Sequence, residues 1–417
     1  MRIIIIGAGI ACVSAIKAIR QQDKDIKIIV YGEETYYPYK RIRLTKDLAS
    51  GIQETNLLVE KQSWYEENKV TIYKDKKVIR INPSAHKVYL SDGTFDEYTA
   101  LLLANGAGNY VPPIKGIGKK NVFTLRSLLD AQVILEQAEK SKQVLMIGGG
   151  ILGLEIAWSL TRLGKKVTVV EALPGLMSRQ LDEIASAILK DAVEARGVVV
   201  YTGSQVQEIT GDGKVEGFIT NQSLQQPCDM VIHCTGIRPN IQLVEGTDIL
   251  TNRGIVVNSR MKTNLPDIYA AGDVAEYQGK IPGLWTVASL QGEIAGSNMV
   301  GLEQIYEMPA AAAVMNAFHY TMFSIGEVTD SAADTMLTAQ LEGNKYSKIL
   351  FRGEKIVGAV FMGSIKELPS IKRAMEKKTK FPEVYESNMQ LSDFLNLLKE
   401  KQSKKELQPA AAAFIAK

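Results

Sequence analysis

The chain carries one construction twice: an aliphatic run, a glycine-rich turn, then residues with the apolar spacing of a helix. The first copy is Ile3-Ile4-Ile5-Ile6 followed by Gly7-Ala8-Gly9-Ile10-Ala11-Cys12, and the second is Val144-Leu145-Met146-Ile147 followed by Gly148-Gly149-Gly150-Ile151-Leu152-Gly153. A glycine turn between a buried strand and a helix lets backbone N–H groups approach a pyrophosphate at the positive helix end. Two such turns imply two βαβ units and two bound dinucleotides. The second copy has glycine at all three fingerprint positions, Gly148, Gly150 and Gly153. The first has Gly7 and Gly9 but Cys12 in third place, where close helix–strand packing needs a small residue, so a packing cysteine is the simpler reading.

Lys27-Ile28-Ile29-Val30 and Val167-Thr168-Val169-Val170 read as the second strands of the two units, with helices expected at about 11–21 and 152–163. Further strands are expected within 70–90 and at Ala100–Leu103, Val198–Tyr201, Met230–His233 and Ile268–Ala270. From about residue 307 the pattern changes to strands or hairpins around Phe323, Ile349–Arg352 and Lys355–Phe361, then to helical spacing at Ser370–Glu376 and Leu391–Glu400. The expected fold is α/β, with two Rossmann-like dinucleotide-binding domains, the second inserted in the first, and a small C-terminal α+β domain. The boundaries read as 1–111 and 241–306 for the outer domain, 112–240 for the inserted one, 307–380 for the C-terminal domain and 381–417 for a tail. The run Pro309-Ala310-Ala311-Ala312-Ala313 recurs as Pro409-Ala410-Ala411-Ala412-Ala413, and each reads as a helix start or linker.

Lys+Arg number 49 against 46 Asp+Glu in 417 residues, a balance that gives no general reason to expect nucleic-acid or membrane binding. No apolar run approaches the ~20 residues of a membrane span, and Met1-Arg2 leads straight into a strand with no cleavable leader, so a soluble, cytoplasmic protein is expected. Cys12, Cys228 and Cys234 are too irregularly spaced for a disulfide framework, a zinc site or an iron–sulfur cluster. His86, His233 and His319 lack ligand spacing, and no metal is expected.

Acidic residues follow both second strands. Glu33 and Glu34 stand where an acid accepts from ribose hydroxyls, and Glu171 stands where it accepts from a 2′-hydroxyl and repels a 2′-phosphate, which favours NADH over NADPH. A late segment, Thr263-Asn264-Leu265-Pro266-Asp267-Ile268-Tyr269-Ala270-Ala271-Gly272-Asp273, resembles the second FAD signature of the FAD-dependent pyridine nucleotide-disulfide oxidoreductases. In that family the aspartate, here Asp273, holds the ribityl and pyrophosphate region. Thr235-Gly236-Ile237-Arg238-Pro239-Asn240 resembles the Thr-Gly-x-x-Pro-Asn segment that closes the NAD domain. The resemblance spans residues 1 to about 365 and implies FAD in the outer domain and NADH in the inserted one. Gly7, Gly9, Ala11 and Ala104 then fall on FAD, and Gly148, Gly150, Ile151, Leu152, Gly153, Glu171 and Gly236 on NADH.

Glutathione-reductase-like members of the family carry two cysteines after the first FAD unit, and NADH peroxidases, water-forming NADH oxidases and coenzyme A disulfide reductases carry one. This chain reads Tyr36-Tyr37-Pro38-Tyr39-Lys40-Arg41-Ile42-Arg43-Leu44-Thr45-Lys46, with no sulfur to form a relay. The segment is similar to the Pro-Tyr-x-Arg-x-x-Leu-Ser/Thr-Lys stretch of rubredoxin reductases, oxygenase ferredoxin reductases, the flavin portion of nitrite reductases and apoptosis-inducing factor. The resemblance implies that Arg41 contacts FAD and that Lys46 sits near flavin N5 with Glu155 as its acidic partner, the two being the catalytic candidates. It also places Val78 beside the adenine, Arg126 near the flavin, Trp285 and Thr286 at a helix start facing the pyrimidine edge, and Phe323 over the ring. The function implied is transfer from NADH through flavin to a small iron protein such as rubredoxin, or to a separate reductase subunit. Alternatives are an NADH oxidase using oxygen or quinone, and a redox sensor resembling apoptosis-inducing factor. The basic residues Lys366, Lys372, Arg373, Lys377, Lys378 and Lys380 could steer an acidic partner, and relatives occur as monomers and homodimers.

Overall fold

A computed structural model describes residues 1–412 apart from Glu342 and Ser387, with the side chains of Leu341 and 404–412 left aside. They form two compact units, one of Met1–Pro112, Thr124–Glu136 and Thr235–Met308, the other of Pro113–Phe123, Gln137–Cys234 and the chain from Pro309 on.

The first unit is built on a five-stranded parallel sheet in the order Ile268–Ala270, Ala100–Leu103, Arg2–Ile6, Lys27–Tyr31, Val70–Tyr73. Ile3, Ile4 and Ile5 are 0% exposed, as a strand covered on both faces requires. Ile268–Ala270 returns to pair with Ala100–Leu103 after the whole second dinucleotide motif has intervened in sequence, which makes the outer domain discontinuous. The helix Ile10–Gln22 lies against the helix Trp285–Met299 at backbone distance. A Cβ on Gly292 would stand 2.1 Å from the Ala11 carbonyl oxygen, and one on Gly296 would stand 2.4 Å from that of Ala15. Cys12, on the same helix as Ala11 and Ala15, is 0% exposed.

The second unit repeats the parallel sheet, in the order Val199–Tyr201, Lys166–Val170, Gln143–Ile147, Met230–His233, Val122–Phe123. A three-stranded antiparallel sheet of Val206–Thr210, Gly217–Thr220 and Gln225–Pro227 is attached to this half of the sequence. The C-terminal part is a five-stranded antiparallel sheet, Ala312–Ala317, Tyr320–Gly326, Lys355–Met362, Lys345–Arg352 and Thr335–Leu341 in spatial order, with helices Leu368–Glu376 and Leu391–Ala412.

Three boundaries differ from expectation. Residues 124–136 and 235–240 belong with the outer unit instead of the inserted one, because Ile237–Pro239 pairs with Ala107–Asn109 and Leu128 N donates to Tyr39. The tail expected from 381 contributes Phe381, Val384, Leu391, Phe394 and Leu398 to the same core as Phe323 and Phe351, so the C-terminal domain extends through them. The first alanine run is neither helix nor linker throughout: Ala312 and Ala313 open a strand and pair with Ile325 and Ser324, because a partner strand overrides alanine's weak local preference. The second run ends the last helix at Ala412, and Ala413 lies outside the described residues. Among the described residues no helix is long and apolar enough to cross a membrane.

Candidate functional site

Within the first unit a cavity of about 830 Å³ opens at the carboxyl end of the parallel strands. Its wall gathers Gly7, Gly9, Ala11, Glu33, Glu34, Arg41, Val78, Ala104, Arg126, Asp273 and Trp285 from eight stretches of sequence. Eleven of the residues assigned to FAD from the sequence thus meet at one place. The volume falls in the ~300–1,000 Å³ range of cofactor pockets.

Gly7 makes the first turn possible. Its φ is +103°, and a Cβ there would lie 2.2 Å from the Ala104 carbonyl oxygen. Gly9 is the N-cap of the helix Ile10–Gln22, and a Cβ on it would meet nothing within 4 Å, so the first-turn N–H groups face open space at the positive helix end. A polar rail runs along the wall. Arg41 pairs with Glu34, donates to the Tyr39 hydroxyl at 2.7 Å and donates to the Arg126 carbonyl oxygen at 3.0 Å. Arg126 in turn holds Asp273 at 2.8 Å. Burial pulls the Arg41 pKa down, but Tyr39 and Glu34 outweigh it and the guanidinium is held more firmly charged than usual. Glu33 is exposed and paired with Lys77 at 2.6 Å, while Asn105, also in the wall, has a buried Oδ1 without a hydrogen-bond partner. A helix N-terminus, two arginines, two acids and a spare acceptor make a wall that fits FAD.

Three sequence assignments lie outside this wall. Lys46 is exposed on the short helix Leu44–Asp47, and Thr286 is exposed one residue into the helix that Trp285 begins; neither lines the cavity. Phe323, expected over the flavin, is corrected: it is 0% exposed and stacked on Phe361 with centroids 5.0 Å apart, which leaves no face for a cofactor.

The second loop repeats the glycine logic. Gly148 has φ +110° and a Cβ on it would press on the Cys234 carbonyl at 2.5 Å, whereas one on Gly153 would reach the Gly148 carbonyl at 2.1 Å. Gly150 caps the helix Ile151–Arg162 and faces open space. Glu171 accepts from Gly149 N at 2.6 Å and Leu173 N at 2.7 Å, which fixes its carboxylate at the loop. On that helix Leu152 is exposed, Ile151 partly so, and Glu155 is buried at 7% exposure. Gly236, at φ +115°, belongs to the first unit, where its carbonyl accepts from Tyr110 N at 2.9 Å.

Cys12 and Cys228 are buried. Burial pushes all three thiols up, Cys228 and Cys234 to about 12, so none is a ready thiolate. No cluster of His, Cys, Asp or Glu among the described residues could hold a metal. Sequence reasoning missed Tyr39 and Asn105 as parts of the wall. The available signal for Tyr39 was its place two residues before Arg41.

The family model for pyridine nucleotide-disulphide oxidoreductase matches residues 1–292, and that for the rubredoxin NAD+ reductase C-terminal domain matches 312–379. The chain is 31% identical over 383 residues to the NADH-rubredoxin oxidoreductase of Clostridium acetobutylicum, covering 92% of this chain and 96% of that protein. It is 34% identical over 369 residues to the nitrite reductase [NAD(P)H] of Bacillus subtilis, covering 88% of this chain but 46% of that protein, so it spans about half the length of this relative. The crystal structure of the Clostridium acetobutylicum NADH:rubredoxin oxidoreductase superposes with a TM-score of 0.78 at 29% identity, covering 95% of this chain and 99% of that one. A match that runs from the first glycine loop past Asp273 makes this chain a member of the pyridine nucleotide-disulphide oxidoreductase family, one whose flavin loop carries no cysteine.

Proposed function

We propose that this chain is an FAD-dependent NADH oxidoreductase that delivers electrons to a small iron protein of the rubredoxin kind. The observation that carries the reading is the cavity wall, where residues assigned to FAD from the sequence converge while the 36–46 loop offers no sulfur. The C-terminal match and the near full-length likeness to a rubredoxin oxidoreductase support the acceptor class.

FAD, when bound, supplies the chemistry, taking an electron pair from NADH and releasing single electrons to iron. The chain's residues bind and orient. The Gly7–Gly9 turn and helix N-terminus hold the pyrophosphate, Glu33 reaches the ribose, and Arg41 and Arg126 supply positive charge along the wall. Gly148, Gly150 and Gly153 hold the NADH pyrophosphate, and the fixed Glu171 carboxylate selects a free 2′-hydroxyl. In this reading Lys46 supplies an exposed positive charge in the first unit, Glu155 a buried acid on the helix of the second glycine loop, and Thr286 lends its helix start to the ring edge. Lys377 and Lys378, exposed after the helix Leu368–Glu376, steer an acidic partner, whereas Lys372 and Lys380 are paired with Glu376 and Glu354. Three free cysteines accord with a reducing, cytoplasmic setting.

The test is anaerobic NADH oxidation by the FAD-loaded protein with and without rubredoxin. Fast rubredoxin-dependent turnover is expected. Flavin bleaching without turnover would move the acceptor elsewhere, and no bleaching would remove NADH as donor. An NADH oxidase is the second reading, favoured by 32% identity over 318 residues to the NADH oxidase of Methanocaldococcus jannaschii, and turnover dependent on oxygen alone would select it.

A further inference from the structure

The rail along the cavity wall has a keystone that is not itself one of the charged groups. Tyr39 is 2% exposed, and its hydroxyl meets three partners: Glu34 Oε2 at 2.7 Å, Arg41 Nη1 at 2.7 Å and Leu128 N at 2.9 Å. A phenol has one donor and two acceptor lone pairs. The guanidinium and the backbone N–H can only donate, so they occupy both lone pairs, and the hydroxyl proton has one place to go, the Glu34 carboxylate. The hydroxyl is saturated and its orientation determined. The Arg41 guanidinium carbon also lies 4.7 Å from the centre of the Tyr39 ring.

We propose that Tyr39 is a positioning residue for the FAD cavity: its hydroxyl sets Arg41 in the wall and ties that wall to the first turn of the helix Leu128–Lys140. The inference rests on the reading of the cavity as an FAD site. Tyr39 does not act by touching the dinucleotide's charged groups, since its hydroxyl has no bonding capacity left for them. It acts by confining a long side chain that would otherwise sample many rotamers, so that the entropy of ordering Arg41 is already lost before FAD arrives. The neutral phenol is required, because an ionised one would face Glu34. Burial, more than offsetting the nearby Arg41, pushes its pKa well above the usual tyrosine range.

The test is Tyr39→Phe, which keeps the ring under Arg41 and removes only the hydroxyl. FAD affinity of the apoprotein is read by flavin fluorescence titration, alongside the KM for NADH. The Kd for FAD is expected to rise about tenfold, the range for a hydrogen bond to a charged group, with the NADH KM unchanged within about twofold. The discriminating measurement is a double-mutant cycle with Arg41→Met. If Tyr39 works through Arg41, Y39F in the R41M background changes the Kd by less than about twofold. The same tenfold loss in that background, or an unchanged Kd for Y39F alone, overturns the proposal. Should Y39F not fold, Glu34→Gln loosens the same clamp from its other end and must show the same dependence on Arg41. A wild-type chain that binds no FAD overturns the cavity reading and the inference with it, an outcome distinct from a wild type that binds and a Y39F variant that binds equally well.

Discussion

Alanine substituted for each glycine of the first loop should separate folding from binding, because the two positions meet opposite surroundings. At Gly7 the new Cβ would lie 2.2 Å from the Ala104 carbonyl oxygen, 2.5 Å from its carbon and 2.7 Å from Asn105 N. Those atoms cannot step aside cheaply, since Ala104 N is bonded to the Ile6 carbonyl at 2.8 Å. The backbone at Gly7, φ +103°, also disfavours any side chain. Left-handed strain of ~1–2 kcal/mol and overpacking of ~1–3 kcal/mol give a loss of roughly 2–5 kcal/mol for G7A. At ~2–4 °C per kcal/mol, the apoprotein Tm should fall by about 10 °C. At Gly9 the φ is −104°, nothing lies within 4 Å of the added carbon, and only the N-cap preference is lost, about 0.5–1 kcal/mol. On the proposed function the methyl group instead occupies the space through which the helix amides would reach the pyrophosphate. G9A should leave the apoprotein within about 3 °C of wild type and weaken FAD binding about 100-fold, or ~2.7 kcal/mol. Thermal unfolding of apoprotein, paired with flavin titration, checks both. A G9A apoprotein destabilised as much as G7A, or a G9A variant that binds FAD normally, would refute the geometric reasoning.

Lys348, its side chain 4% exposed, is held by Asp182 at 2.9 Å and by Asp330, so K348M should cost about 3 kcal/mol in denaturant unfolding near neutral pH. Burial lowers the Lys348 pKa but the two aspartates raise it further, so with both aspartates ionised its contribution is full below the ordinary lysine value of 10.5 and fades as pH rises beyond the raised one; the gap between K348M and wild type should close in alkali. Glu276, 2% exposed, would be pushed up by burial, yet the N–H groups of Gly254 and Arg253 and the Asn252 amide bring it net below its ordinary 4.5. E276Q should therefore be less stable than wild type at pH 7 and converge with it as pH falls through the lowered value, which a Tm series against pH would show. With Cys228 and Cys234 pushed up to about 12 and Cys12 higher still, native protein at pH 8 should resist iodoacetamide, and NADH-driven flavin reduction should survive replacement of all three by serine. Rapid alkylation with loss of reduction would bring a sulfur relay back.

The parallel sheets and the cavity wall were legible in the sequence because their causes are local. Ile3 to Ile6 is an unbroken apolar run that suits a strand buried on both faces, and Gly7 is required by a turn that begins at the next residue. Motif spacing also pointed to Arg41, Arg126 and Asp273, which are distant in sequence and meet in the cavity wall. The misread positions are those whose identity is set by protein neighbours remote in sequence. Phe323 has the chemistry of a flavin cover, but the register with Lys355–Met362 turns it onto Phe361. Phe381, Phe394 and Leu398 fall in a segment that reads as a tail, yet Phe381 and Phe394 meet each other and Phe351 edge to face, with Leu398 in the same core, because Phe351 lies roughly 30 to 45 residues away in sequence.

Tyr39 belongs to the same class as those core residues although it stands inside the most informative motif. Its partners lie at 34, 41 and 128, and the last of these is 89 positions away, so nothing in the segment itself shows that the hydroxyl is a junction. A motif marks the groups that touch a ligand, because the ligand constrains their type. The groups that hold them are constrained by geometry, and a phenol that has used its one donor and both acceptors on protein partners is recognisable only once those partners have been brought together. The cavity's charge therefore depends on two layers with different sequence visibility, the arginines and acids that line it and the tyrosine whose hydroxyl holds one of those arginines.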